Sequence, residues 1–344
     1  MKRSPLVVLI LLALFASPAV VQAARNCSSC AKSIKGRYIT SGIKAYCSQT
    51  CFVTTLDGCN HCGIKLKGRY IISEKKKFCS NACLESILPQ CEVCEKPLIR
   101  RLTIKGHVFC DLHAKSPRCT ACQLPFLRGG ELPDLRHVCE TCNKIVIYDM
   151  VEAMKLFRIA RQELYRITAR KSRQIPKLKL VGRDQLNKRT NLRVDQQDGL
   201  QLNGFYHRTE TTRTSRNGFG KTTTAKKVEK TIYILYALSP DTFLTTAVHE
   251  FTHDMIAEFF PHLDGLPLWA EEGICQYVAV LLCRKRDFAD QLESIQTSPD
   301  RIYGDGYRYF EKKVGPNNWS GLLQWMKHTD PKKLPAGAPK QRKR

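Results

Sequence analysis

Cysteine spacing constrains this chain more than any other feature. Of its 17 cysteines, fifteen fall into one recurring pattern. Cys27-x2-Cys30 is followed by Cys47-x3-Cys51, and Cys59-x2-Cys62 by Cys79-x3-Cys83. Cys91-x2-Cys94 is followed by Cys110-x2-His113, and Cys119-x2-Cys122 by Cys139-x2-Cys142. The period is 32 residues twice and then 28, so one module is repeated four times. The text recurs as well, Ile34-Lys35-Gly36-Arg37-Tyr38-Ile39 matching Leu66-Lys67-Gly68-Arg69-Tyr70-Ile71. Each module is too short to build a hydrophobic core of its own. Sixteen ligands suit four structural zinc ions. His113 stands where the other modules have cysteine, and histidine binds zinc but forms no disulfide. A disulfide framework is the competing expectation, since the chain also carries an export signature. A hairpin after each first pair and a capped helical turn at Ser48 or Ser80 would close each tetrahedron. The modules resemble LIM or treble-clef half-fingers, with longer separations than the link inside a typical LIM pair. His61, His107 and His137, beside the ligands, read as surface or packing residues.

A second feature lies at His249-Glu250-Phe251-Thr252-His253. On a helix, residues four apart share a face, so His249 and His253 can hold one metal ion. Glu250, one step round, falls where it can take a proton from an attacking water. Ser239-Pro240-Asp241 reads as an N-cap with proline at the first helical position. Phe243, Leu244, Ala247, Val248, Phe251, Met255 and Ile256 follow at helical spacing. A second helix is expected over 268–282, with the acidic pair Glu271-Glu272 near its start.

Trp269-Ala270-Glu271-Glu272-Gly273 resembles the gluzincin metallopeptidases, including the aminopeptidase N-like enzymes, whose third ligand is the acid just before that glycine. The resemblance implies Glu272 as the ligand and leaves Glu271 to face the substrate. Gln276, one turn later, is a candidate to orient a ligand imidazole. With Ile232-Tyr233-Ile234-Leu235-Tyr236-Ala237-Leu238 before the cap and Ile274-Cys275-Gln276 after the acids, residues 145–312 resemble one family in particular. It is the peptidase domain of the plant organ-size regulators, ubiquitin-activated enzymes with LIM fingers ahead of an H-E-x-x-H domain. The resemblance implies a catalytic zinc on His249, His253 and Glu272, with Glu250 as general base. It also implies a tyrosine as oxyanion donor, for which Tyr303 and Tyr307 are the candidates. No acidic ubiquitin-interacting helix precedes the fingers, so the reaction class transfers and the ubiquitin-linked activation does not. Cys275 and Cys283 read as buried thiols.

Lys2-Arg3, the apolar stretch 6–16 and Val21-Gln22-Ala23 have the layout of a cleaved secretory signal. A secreted or periplasmic, bacterial protein is expected. The formal net charge of +25 overstates basicity, because four thiolates around one zinc carry a net charge of about −2. An anionic surface remains a candidate partner through the basic stretches 158–193 and 340–344; nucleic acid is disfavoured for an exported chain. Val151, Met154, Phe157, Ala160, Leu164 and Ile167 predict a helix over 149–170 that joins the fingers to the rest. Strands are expected around 178–181, 200–208 and 231–238, with Ser215-Arg216-Asn217-Gly218 as a hairpin turn. The last strand is either a sheet edge that receives an extended peptide or a strand covered by its neighbours.

The expected fold class is α+β: tandem treble-clef or LIM-like zinc modules followed by a zincin-type metallopeptidase domain. The expected division is 1–24 signal peptide, 25–145 four modules, 146–176 linker helix, 177–330 peptidase domain and 331–344 basic tail. Cofactors would be one catalytic and about four structural Zn²⁺. Substrates would be proteins or peptides, with a protein partner held through the fingers. The competing reading is an inactive zinc-finger scaffold.

Overall fold

The computed structural model describes residues 25–190, 202–216 and 222–337. The expected signal segment 1–24, Asn217-Gly218 of the expected hairpin turn and the tail beyond residue 337 lie outside them. The fold is mixed α/β, with small hairpin modules first and a helical unit with one sheet after them. Two compact units divide between Ser116 and Pro117.

The first unit holds three modules. Each has a three-residue hairpin: β1 (Ile39–Ser41) with β2 (Lys44–Tyr46), β3 (Ile71–Ser73) with β4 (Lys76–Phe78), and β5 (Leu102–Ile104) with β6 (His107–Phe109). Helix α1 (Gln49–Thr54) is capped by Ser48 and α2 (Asn81–Glu85) by Ser80, each hydroxyl accepting from the amide of the fourth ligand, Cys51 or Cys83. A 3-10 turn, His113–Lys115, replaces that helix in the third module. The first cysteine pair is wound the same way throughout: Ala31, Gly63, Glu95 and Gln123 donate to the carbonyls of Cys27, Cys59, Cys91 and Cys119 at 2.7–2.9 Å. All four take positive φ, between 58° and 74°. Ala31, Glu95 and Gln123 pay a steric penalty there that glycine would avoid.

The second unit contains the fourth module, with β7 (Gly129–Glu131), β8 (His137–Cys139) and α3 (Glu140–Asn143). Helix α4 (Met150–Thr168) follows, capped by Asp149. Ala153, Phe157, Ala160 and Leu164 bury into the main core, whereas Val151, at the head of the expected stripe, is exposed. Then come β9 (Lys177–Val181), α5 (Arg183–Thr190), β10 (Gly204–Arg216) and β11 (Thr222–Leu235). Helix α6 (Pro240–Phe259) carries the histidine motif and α7 (Leu268–Arg286) the acidic pair. Helices α8 (Ala289–Gln296), α9 (Tyr303–Val314) and α10 (Trp319–His328) complete the unit.

All seven apolar residues expected on the buried side of α6 are buried. Ser239 caps it, accepting from Thr242 at 3.3 Å, and Pro240 opens it. Phe157 of α4 lies on Phe251 of α6 with ring centroids 4.4 Å apart, so α4 is a core helix and no mere linker.

The sheet order is β10-β11-β9, antiparallel then parallel. The strand that leads into α6, β11, is therefore central, and the open edge beside α6 is β10. Of the two expectations for this strand, the covered one holds, and sequence order could not choose because it does not reveal which neighbour pairs on which side. Lys230 on β11 fastens the sheet to α6. Its Nζ lies 2.7 Å from Asp254 and 2.8 Å from Glu258, and Tyr206 of β10 donates to Asp254 at 2.9 Å.

Candidate metal centres

The finger clusters can be tested against zinc by donor spacing alone. Tetrahedral donors at Zn–S ~2.3 Å stand about 3.8 Å apart, whereas a disulfide needs about 2.05 Å. Cys30–Cys47 and Cys47–Cys51 are separated by 3.7 and 3.5 Å, Cys62–Cys79 and Cys79–Cys83 by 3.6 and 3.4 Å. In the third module Nδ1 of His113 lies 3.4 Å from Cys91 and 3.3 Å from Cys110. Four clusters result, each with all donors within 4.8 Å: Cys27, Cys30, Cys47, Cys51; Cys59, Cys62, Cys79, Cys83; Cys91, Cys94, Cys110, His113; and Cys119, Cys122, Cys139, Cys142. All 17 cysteines are free thiols. Backbone amides also favour the thiolate form. The amides of Cys30 and Cys47 bring Cys27 down to about 6, and the amide of Cys62 brings Cys59 down to about 6. The residues fit structural zinc in every module.

A fifth cluster forms between α6 and α7. His249 Nε2 lies 3.0 Å and His253 Nε2 3.5 Å from one oxygen of Glu272. Donors around a zinc ion at ~2.0–2.1 Å stand about 3.3 Å apart, a spacing close to both histidine–Glu272 separations. Burial opposes the charge on Glu272, but the imidazoles of His253 and His249 hold its carboxyl far below the usual range.

Glu271 does not turn to a substrate. Its Oε1 accepts from Nδ1 of His253 at 2.9 Å. A proton held at Nδ1 leaves Nε2 as the electron-pair donor, which is how an outer carboxylate fixes a ligand imidazole. That is the role for which Gln276 was a candidate; its side chain makes no hydrogen bond among the described residues. The two residues lie on either side of Glu272, and only the crossing of α6 over α7 decides between them.

Glu250 is buried, and desolvation raises its carboxyl above the ordinary value. It rests against the β10 backbone at Gly204. A Cβ at Gly204 would lie 2.7 Å from Thr246 Cγ2 and 2.8 Å from Glu250 Oε1, so this strand can approach only with glycine there. Gly204→Ala is expected to cost about 1–3 kcal/mol in urea unfolding, the range for overpacking, and to displace Glu250. An unchanged midpoint would show that the close approach is relieved at no cost.

Helix α9 reaches the site by a glycine-on-glycine crossing. A Cβ at Gly273 would stand 2.6 Å from the Gly306 carbonyl carbon, so the glycine after the acidic pair lets α9 lie against α7. Tyr303 at the start of α9 then faces the metal ligands, its ring 6.2 Å from that of His249. Burial, followed by the charges of Glu272 and Glu250, holds its hydroxyl protonated well above the usual phenol value. Tyr307 lies one turn further along, away from the cluster. Its hydroxyl donates to Glu311 at 2.6 Å and meets Arg284 at 3.3 Å, so the expectation of an oxyanion role for Tyr307 does not hold.

No protein-family model matches the chain, and no curated protein gives a significant match. The site must be read from its own chemistry. Cys275 is the buried thiol expected of it, but its sulfur also forms a three-donor group within 4.8 Å with nitrogens of His249 and His253, which was not expected. Burial pushes this thiol up to about 12. Its place three residues after Glu272, on the same face of α7, was the available signal. Tyr206, whose ring lies parallel to His253 at 6.4 Å, had none.

Proposed function

We propose that the second unit is a zinc-dependent peptidase, with the cysteine modules as a protein-binding or bracing array. One observation carries this reading: two imidazole nitrogens converge on a single Glu272 oxygen, with a buried Glu250 on the adjoining turn. A zinc ion held by His249, His253 and Glu272 would supply Lewis acidity and bring the pKa of a water to about 7.

The chain's own groups supply the rest. Glu250, desolvated and so a stronger base than an exposed carboxylate, takes the proton of the attacking water and returns it to the leaving amine. Tyr303, kept protonated, donates to the oxyanion that forms on the scissile carbonyl. The edge strand β10 offers backbone groups along which an extended peptide can lie. The family resemblance over residues 145–312 points the same way. Ile43, Ile64 and Ile99 stand exposed on the first three modules, which supports a protein-contact role there.

One observation favours the second reading, an inactive scaffold. The group whose donors all lie within 4.8 Å of one another is His249, His253 and Cys275, and a metal held that way does not use the carboxylate ligand of the peptidase reading. Metal analysis and cleavage of a denatured-protein peptide library decide between them. The peptidase reading expects about five zinc ions per chain, one per cluster, and zinc-dependent cleavage. Five ions without cleavage would favour the scaffold, and about one would return the modules to disulfides. Tyr303→Phe is expected to lower kcat about 10²–10³-fold with little change in KM, as for loss of one oxyanion donor. Tyr307→Phe should leave kcat near wild type. Export through residues 1–24 belongs to the same proposal, and sequencing the mature N-terminus tests it.

A further inference from the structure

Phe251 lies two residues from each histidine of α6 and about 200° round the helix from His249, so it faces the helix's other side. There it meets Phe157 of α4, which is also part of the wall of a cavity of about 450 Å³. Met154, Tyr165 and Ile175 continue the apolar lining. Positions 154, 157, 158, 161, 162 and 165 recur at helical spacing, so one face of α4 makes most of the wall. The returning chain makes the rest, held by Arg161 Nη2 donating to the Ser172 carbonyl at 2.9 Å.

The polar groups of this cavity are almost all of one sign. Arg158, Arg161 and Lys171 contribute, no carboxylate does, and Gln162 and the Tyr165 hydroxyl are the remaining polar side-chain groups. Arg158 and Lys171 have no ion pair among the described residues. The nearby buried carboxylate, Glu163, is already shared by Arg166, Lys285 and Arg286. A partly apolar groove with an unneutralised basic rim, open to solvent at Tyr165 and Ile175, is thus left beside the core.

The geometry points to a binding site for a small amphipathic carboxylate, separate from the metal centre and independent of the peptidase reading. Its hydrocarbon body lies on Met154, Phe157 and Ile175, and its anionic head meets Arg158 and Lys171. The volume is in the range of small-ligand sites.

Calorimetric titration of the full-length chain with decanoate, decanol and decylamine tests this. Decanoate should bind saturably, one per chain, at least tenfold more tightly than decylamine. Arg158→Gln/Lys171→Gln should weaken decanoate about tenfold and leave decanol unchanged; both positions are exposed, so circular dichroism should remain that of wild type. Met154→Trp, which fills the groove, should abolish binding of both. No saturable binding of decanoate, equal binding of decylamine, or binding indifferent to both variants would each overturn the assignment.

Discussion

Glu250→Gln is expected to keep every zinc ion and lose about 10²–10⁴-fold in peptide hydrolysis, the contribution of a positioned general base. The amide has nearly the shape of the carboxylate, so it still fits between Thr246 and Gly204. It cannot take a proton from water. The proposed donors His249, His253 and Glu272, and Cys275 beside them, are untouched, so metal content should stay at one ion for each of the five clusters. His249→Ala is the contrasting variant, expected to lose both the fifth ion and the activity. Zinc analysis beside steady-state kinetics on one peptide separates loss of the base from loss of the metal. Full activity in Glu250→Gln would remove Glu250 from the mechanism.

The second large effect is expected far from any substrate. The fourth module is tied to the segment that starts the histidine helix. Arg136 Nη2 donates to the Tyr236 carbonyl at 2.9 Å, and its guanidinium lies 4.9 Å from the Tyr236 ring centroid. Ile147 exchanges two backbone hydrogen bonds with Ala237 and Leu238, at 2.7 and 2.9 Å. Asp134 accepts from the Arg183 amide at 2.7 Å, beyond the end of β9. Val138, Cys142 and Val146 share one apolar cluster with Ala237. Ser239, the cap of α6, follows directly.

Structural zinc contributes about 10–16 kcal/mol to finger peptides, so Cys142→Ser should unfold this module and release the Tyr236–Ser239 segment. Loss of most hydrolysis together with one zinc ion is expected. Arg136→Ala is the milder test, keeping the ligands and removing a buried charged donor, at about 1.5–3 kcal/mol. Acid should reveal the same contact. Burial would raise Asp134, but the Arg183 amide and the Arg136 guanidinium outweigh it and hold its pKa below the usual value. Its contribution is therefore complete above the unfolded value of about 3.9 and is lost as pH falls towards the folded one. Urea midpoints from pH 7 to pH 3 should fall more steeply for wild type than for Arg136→Ala. Parallel curves would mean that this pair carries no stability.

Local chemistry was legible in the chain because it is written in spacing. A C-x2-C pair winds its own turn, so four zinc modules could be counted from residue numbers, down to the substitution of His113. The histidine helix was equally plain, since its cap, its proline and its apolar period all lie within twenty consecutive residues. Glu272 needed a resemblance, because nothing in spacing alone chooses between adjacent acids.

Four features required the tertiary structure. Tyr303 and Tyr307 share a face of α9, and only the Gly273–Gly306 crossing decides which one meets the metal ligands. Glu271 turned out to hold His253, and Cys275 to stand beside it, because α7 presents that face to α6. The choice between edge and covered strand for β11 fell to the covered one, since pairing partners are chosen across the fold. The fourth module joined the core of the second unit through Arg136 and Asp134, exposed-looking charges whose partners lie 100 and 49 residues away. Spacing fixes what a helix or a knuckle can hold within itself; which surfaces meet depends on packing between segments that the order of residues does not record.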